Sequence, residues 1–431
     1  MEMLSEELIK KISKSKGEDE WMLEFRLNSY RKFLELENPN FGPKIELDFS
    51  KLNYYKKEGN LTSDWNNVRC DIRNKFKTLG VIDAEKEHLS GVSNQFESEV
   101  IYHHGRDEIQ EKGVIFLSTD EALKEYPDLF KEYFNNLVKY DENKYTALNN
   151  AVWSGGSFIY IPKGVKVDKP LQSYFRIETE SLGQFEHTII IVDDEAELSY
   201  IEGCTATAYS KTSLHAGVVE IYVGKNAKCR YSTIQNWSTD VYNLVTKRAI
   251  VSDGGLMEWV DGNIGSGLTM KYPSCILKGD NAVGNSISIA YAKAGQVLDA
   301  GAKMINLGKN TKSSIISKSI AEAGGIANYR GTTRITKNAF NSEATIKCDT
   351  IILDDLSKSD TFPKNVVANQ SSKLTHEATV SKLDADKLFY LCSKGLTEDQ
   401  ARELLIMGFI TDFKNELPME YAVELNRLIK E

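Results

Sequence analysis

The 431-residue chain has no apolar run approaching the roughly 20 residues that a membrane-spanning helix needs. Its first residues, Met1-Glu2-Met3-Leu4-Ser5-Glu6-Glu7, lack the positive and apolar stretches of a secretion signal. A cytoplasmic protein with no membrane partner is the expectation. None of the six cysteines (Cys70, Cys204, Cys229, Cys275, Cys348, Cys392) falls at C-x-x-C spacing, which excludes a zinc ribbon and a thioredoxin-type redox pair. A disulfide framework has no place in a reducing compartment, so each isolated cysteine is first a small buried hydrophobe. A phosphate-binding loop is missing too. The nearest stretch, Gly301-Ala-Lys-Met-Ile-Asn-Leu-Gly308-Lys309, puts six residues between its glycines where the nucleotide loop needs four, and no Ser or Thr follows the lysine. There is no G-x-S-x-G elbow and no H-E-x-x-H pair. Basic charge is in deficit: 53 Lys and Arg face 62 Asp and Glu, for a net charge of −9. That balance speaks against a nucleic-acid partner, which would need a basic face to displace counterions.

What is present is a soluble composition, 41% hydrophobic and 27% charged, arranged in three regions. Residues 1–92 read as helical. Leu23, Leu27, Tyr30 and Leu34 fall at i, i+4, i+7 and i+11 on one predicted helix, widened by Trp21 and Phe25. Residues 93–375 are rich in Val, Ile, Thr, Ser, Tyr and Gly, in short β-prone runs separated by turn residues. A helical signal interrupts them at Thr119–Phe134, with Asp120, Glu121 and Glu125 near its start. Turns recur at Asp193-Asp194, Gly224-Lys225-Asn226, Asp253-Gly254, Gly279-Asp280, Gly308-Lys309-Asn310 and Lys337-Asn338, 26 to 31 residues apart. A strand–turn–strand unit at this period predicts a mainly β repeat fold, best matched by a β-helix, with an antiparallel sandwich as the alternative. Residues 376–431 turn helical again. Asp384–Lys394 stops at Gly395, Thr397 and Gln400 form a capping box, and Leu404, Leu405 and Phe409 give the next helix an apolar side. Pro418 opens a last predicted helix reaching Ile429. This region is either an end cap or a docking surface.

Two short constellations carry chemistry. Cys348, in Glu343-Ala-Thr-Ile-Lys-Cys-Asp-Thr, is followed one unit later by His376-Glu377, and thiolate, imidazole and carboxylate together are a plausible iron-ligand set. Lys347 is placed to lower a thiol pKa, although neighbours in a strand point to opposite faces. Earlier, Tyr200-Ile-Glu-Gly-Cys204-Thr puts a cysteine just before a turn, and Gln235-Asn-Trp237 and Thr246-Lys247-Arg248 follow within two units. Stacked coils would bring such side chains into one column. The plain alternative for all of them is buried filler and strand-edge polarity.

Taken in order, several segments resemble the SufB/SufD family of iron–sulfur assembly scaffolds over nearly the whole chain, from about residue 18. They include Trp21-Met-Leu-Glu-Phe-Arg-Leu, Ala151-Val-Trp-Ser-Gly-Gly-Ser-Phe, Tyr174-Phe-Arg-Ile, Tyr200-Ile-Glu-Gly-Cys-Thr, Gln235-Asn-Trp, Lys271-Tyr-Pro-Ser-Cys, Tyr329-Arg-Gly, Cys348-Asp and His376-Glu-Ala. The resemblance implies a central right-handed parallel β-helix between helical N- and C-terminal regions. It implies a scaffold with no turnover of its own, holding a transient 4Fe-4S or 2Fe-2S cluster, and leaves room for a reduced flavin. The implied partners are the SufC ATPase at the C-terminal helices, SufD or a second copy of this chain, and a cysteine desulfurase as sulfur donor. By position, Cys204 resembles the sulfur entry point and Cys348 the inner acceptor and cluster ligand. Arg176, Gln235, Trp237 and Lys247 resemble the lining between them, and His376 and Glu377 resemble metal ligands. The presence of both Cys204 and Cys348 resembles the SufB branch rather than SufD. Two positions depart from the family pattern: Glu178 stands where Asn is usual, and Thr375 where an acidic residue is usual.

Two other readings compete. A carbohydrate-active β-helix enzyme would need paired carboxylates on neighbouring coils, and Asp193-Asp194 has no evident partner in sequence. A purely structural, SufD-like subunit would tolerate loss of Cys348.

Overall fold

The computed structural model describes residues 3–78, 81–105, 107–206 and 212–415. The middle of the chain winds into a parallel β-helix of about eight turns with two long sheets. One sheet stacks Gly91–Phe96, Leu171–Ile177, Glu197–Ala206, Lys228–Trp237, Leu256–Gly265, Val283–Ala292, Lys312–Ala321, Glu343–Ile352 and Lys373–Lys382, every neighbour parallel. The facing sheet runs from Ser157–Ile161 through His187–Val192, Val218–Val223, Val241–Val251 and Val297–Asn306 to Thr361–Val367. The parallel ladders rule out the antiparallel sandwich.

The corners explain the period. In the first sheet, from Leu171 on, paired positions step 27 to 31 residues per coil, as in Lys228 to Leu256, Leu256 to Val283 and Lys312 to Glu343. At the corresponding corner of successive coils a residue adopts positive φ: Glu195, Asn226, Gly254, Asn281, Asn310 and Asn341. Asn tolerates this left-handed conformation better than most side chains, and Gly adopts it freely. Each corner also bonds the next. Lys225 N donates to Asp194 Oδ1 at 2.6 Å, Asp280 N to Asp253 Oδ1 at 2.9 Å, and Lys309 N to Asp280 Oδ1 at 2.8 Å. The recurring Asp/Asn/Gly signal in the sequence is therefore a stacked corner.

Over the earlier coils both faces of the strands are covered. The lumen packs Ile190, Ile221, Tyr231, Trp259, Met257 and Met304 between the sheets. Each such aliphatic side chain contributes roughly 1.5–3 kcal/mol relative to exposure. Outside the first sheet, helices Cys70–Thr78 and Glu398–Asn415 bury Ile72, Phe76, Ile406, Ile410 and Phe413 against Tyr174, Ile234 and Ile289. Outside the second, Glu6–Lys16, Glu20–Glu35 and Lys144–Val152 lie over Leu214, Leu244 and Met270.

Several helical expectations shift. In Glu20–Glu35 the fully buried side chains are Met22, Arg26, Ser29 and Phe33; Leu23, Leu27 and Tyr30 pack at the margin and Leu34 is 62% exposed. Arg26 commands that face because Glu18 neutralises it at 2.6 Å, the Trp153 carbonyl accepts from it at 3.0 Å, and its guanidinium lies 4.7 Å from the Trp153 ring. The Thr119–Phe134 helix breaks at Tyr126 before Pro127, giving Thr119–Glu125 and Pro127–Tyr133. Ala385–Ser393 is capped by Asp384 and followed by Gly395 at φ 98°, and the Thr397–Gln400 capping box forms. In the next helix the buried side is Ala401, Ile406, Ile410 and Phe413, while Leu404 is exposed. The strand Lys373–Lys382 carries the β-helix past residue 375. The helix expected from Pro418 lies outside the described residues.

Candidate functional site

Alternation along each strand sends every second side chain into the lumen. In Glu197–Ala206 the inward residues include Leu198, Tyr200, Glu202 and Cys204, and in Lys228–Trp237 they are Cys229, Tyr231, Thr233, Gln235 and Trp237. The ladder sets Cys204 beside Phe175 on one side and Gln235 on the other. It also builds a second inward column: Ser173, Glu202, Thr233, Asp261, Ser288, Ser317 and Cys348, each paired with the next. Five coils separate Cys204 from Cys348, about 24 Å at one strand spacing per coil. The two sequence-predicted thiols therefore share one lumen, joined by polar side chains.

Around Cys204, which is 2% exposed, the lumen holds a network of buried charges. Lys247 Nζ donates to Glu202 Oε1 at 3.3 Å and lies 4.5 Å from the centre of the Tyr231 ring. Lys271 Nζ lies 2.9 Å from Asp261 Oδ1 and donates to Gln235 Oε1 at 3.2 Å. Thr233 donates to Asp261 at 2.9 Å, and the Tyr231 hydroxyl donates to Glu202. Asn243 bridges Gln235 at 2.8 Å and His215 at 2.7 Å, and His215 Nε2 meets Glu186 at 2.5 Å. Burial works against each charged form, and the opposite charges answer it. Asp261 is held below the usual carboxylate range by Lys271 and Lys247 despite burial. Burial presses Lys247 and His215 down, yet Glu202 with Asp261, and Glu186, hold them above their ordinary values. Lys271 is lowered, by burial first.

Burial, then Glu202 and Glu186, push the Cys204 thiol well up, and Lys247 and Lys271 only partly oppose them. Trp237 packs against His215 with ring centres 4.6 Å apart, within the apolar cluster that includes Cys204. Among the described residues, Gln235 Nε2 and Trp237 Nε1 have no hydrogen-bond partner.

Arg176 does not join this group. It pairs with Thr205 in the ladder, on the outward face, and its Nε donates to Glu178 Oε1 at 2.6 Å, while Glu178 also meets Lys75 of the covering helix. The Glu178 departure thus has a visible consequence: it ties the arginine to the outer layer.

At the other end, Cys348 is 4% exposed and its Sγ lies 3.9 Å from His376 Nε2. Asn365 Nδ2 sits 3.2 Å from His376 Nδ1 and orients the ring. Burial raises the Cys348 thiol to about 12, with Tyr329 pulling the other way. Glu377 pairs with Lys347, whereas His376 pairs with Ile346, so Glu377 takes the opposite face of the strand and is exposed. Among the described residues, no three His, Cys, Asp or Glu side chains converge to hold a metal ion. The chain alone brings together one sulfur and one nitrogen donor. The last coil is open. Phe362, Val366, Val367 and Val380 on its strands are exposed, as are Phe389, Tyr390 and Leu404 on the helices beyond.

Sequence reading passed over Glu202, Asp261, Lys271, His215 and Glu186. Their signal was present as charged residues among apolar, β-prone runs, where isolated charge is costly unless paired.

The fold and site define a β-helical protein with paired charges and buried thiols in its lumen and an open, apolar final coil. Residues 175–409 match the SUF system FeS cluster assembly SufBD core domain, and residues 55–173 match the SufBD protein N-terminal region. An iron-sulfur cluster assembly SufBD family protein of Staphylococcus saprophyticus is 53% identical over 429 residues, covering 99% of this chain and 92% of that protein. Relatives in Staphylococcus epidermidis and Staphylococcus aureus are 54% and 53% identical with the same coverage. The chain belongs to the SufBD family of iron–sulfur cluster assembly proteins.

Proposed function

We propose that this chain is the SufB-type member of its assembly complex. It accepts sulfur as a persulfide at Cys204, passes it along the lumen, and holds the nascent cluster at Cys348 and His376. The cluster is cargo, and the chain performs no turnover of its own; ATP hydrolysis belongs to a SufC subunit docked on the C-terminal helices. One observation carries the reading: Cys204 and Cys348 face one lumen, five coils apart, and the second lies beside a histidine at the open end. Two donors from one chain are fewer than a cluster needs. Ligands from SufD, or from a second copy of this chain seated on the exposed last coil, supply the remainder. Glu377, on the outward face, is placed to act only across such an interface. Gln235, Trp237 and Lys247 line the sulfur path, and Arg176 supports it from outside.

The test is anaerobic reconstitution with iron and sulfide, wild type beside Cys348→Ala, scored by visible absorption and by iron and labile sulfide per chain. A cluster that the variant loses is the expected result. Equal clusters in both would remove Cys348 from the ligand set, and none in either would favour a SufD-like structural subunit.

A further inference from the structure

The thiol at Cys204 faces a problem that its surroundings solve. It is buried and un-ionised, yet a sulfur acceptor must attack as thiolate. Losing a proton to bulk water would leave one uncompensated negative charge in the lumen. The described charges there are matched: Glu202 and Asp261 against Lys247 and Lys271, and Glu186 against His215. An added unpaired charge in such a site is strongly disfavoured. Moving the proton within the network keeps the balance. The nearest acceptor is Glu202, whose Oε1 lies 3.7 Å from Cys204 Sγ, the same oxygen that accepts from Lys247. The sulfur, the carboxylate and the ammonium form one contiguous triad.

We propose that Glu202 is the base that takes the Cys204 proton during sulfur acceptance, and that Lys247, released from Glu202 as it is protonated, pairs with the resulting persulfide anion. The inference rests on Cys204 being the entry point. The step balances. The Cys204 S–H bond breaks and its proton goes to the Glu202 carboxylate. The thiolate attacks the outer sulfur of a donor persulfide, R–S–SH, forming the Cys204 S–S bond. The donor S–S bond breaks, and its electron pair leaves with R–S, which takes up the proton freed by ionisation of the new persulfide. Sulfur moves with no net oxidation and no external oxidant. Before the step the triad holds Glu202⁻, Lys247⁺ and a neutral thiol; afterwards it holds neutral Glu202, Lys247⁺ and a persulfide anion. Tyr200, Tyr231, Glu186 and Lys271 also face this thiol, and among the described residues its hydrogen bond goes to Glu202 alone.

The experiment uses the full chain and glutathione persulfide under anaerobic conditions. Mass mapping follows the sulfur added at Cys204 with time between pH 6 and pH 10, in wild type, Glu202→Gln and Glu202→Asp, with Cys204→Ser as blank. A base role predicts that Glu202→Gln slows transfer on the order of 100-fold near neutrality, with the gap narrowing as hydroxide takes over at high pH. Glu202→Asp preserves the charge balance, so it tests the idea even if Glu202→Gln does not fold; the retracted carboxylate should slow transfer by about tenfold. A merely electrostatic or structural carboxylate gives the opposite sign. Removing a negative charge beside the thiol eases ionisation, so transfer in Glu202→Gln would match or exceed wild type at every pH, and that result overturns the proposal. Wild type that gains no sulfur at Cys204 overturns the entry-point role itself and the inference with it.

Discussion

The Lys271–Asp261 pair is the sharpest place to test whether the lumen charges act as a balanced set. The perturbation is Lys271→Met, which keeps length and removes the ammonium. At 2.9 Å and an effective dielectric of about 20, the Coulomb attraction is on the order of 6 kcal/mol. Sparing the ammonium its desolvation returns part of that, and breaking a buried pair by removing one partner leaves a cost of about 3–5 kcal/mol. The sign with pH follows from Asp261. In the native chain its carboxyl is held below the ordinary value, so it stabilises the fold above its unfolded pKa, and that contribution fades as pH falls through the folded value. In Lys271→Met, Lys247 remains 4.0 Å away, burial dominates, and the carboxyl rises instead. The variant is then weakest at pH 7–8, and its deficit shrinks toward about pH 5 as Asp261 takes up a proton. Urea denaturation followed by tryptophan fluorescence at both pH values reads this directly. Adding Asp261→Asn to Lys271→Met should recover most of the loss at pH 8. A deficit below about 1 kcal/mol at pH 8, or one unchanged at pH 5, would refute the picture of interdependent buried charges.

Three further outcomes are expected. Gly301→Ala should cost about 2–3 kcal/mol in urea denaturation, because a methyl there meets the Arg330 carbonyl of the next coil, whereas Gly408→Ala, in a helix with open space around it, should be neutral or stabilising by up to about 1 kcal/mol. Iodoacetamide should label Cys348 on the order of 10³ times more slowly than free cysteine at pH 7.5, since its thiol is raised to about 12, and peptide mass mapping that finds equal rates would contradict the burial of this sulfur. Phe389→Ser should change chain stability by less than about 0.5 kcal/mol, because the side chain is 76% exposed, while weakening co-purification with the SufC subunit that we propose docks on these helices.

Sequence alone determined the repeat. Each corner of the β-helix needs a residue that tolerates positive φ and a small or acidic neighbour that bonds the next corner, and these requirements are written locally as Asn, Gly and Asp at a fixed period. The capping box at Thr397 and Gln400 and the stop at Gly395 were legible for the same reason, since a helix terminus is satisfied by residues three or four positions away. The two thiols and the histidine were singled out by residue type, and the fold placed the second thiol beside that histidine.

Tertiary structure decided which face each strand turned inward. In a sheet with one wet face, polar residues mark the outside. Here helices cover the outer faces as well, so Arg176 and Cys204 sit in equally protected strands, and only the coil register separates them. For Glu377 the reason differs: Lys373–Lys382 is exposed on both faces, so polarity does not mark which face a side chain takes. The lumen network was invisible for a related reason. Lys247 and Lys271 project from one sheet, Glu202 and Asp261 from the other, and Lys247 lies 45 residues from Glu202 along the chain. Alternation reports which side chains share a face, but which face opposes which across the lumen is fixed only when the coils close. The charge balance around Cys204 therefore belongs to the folded solenoid and to no segment of the sequence.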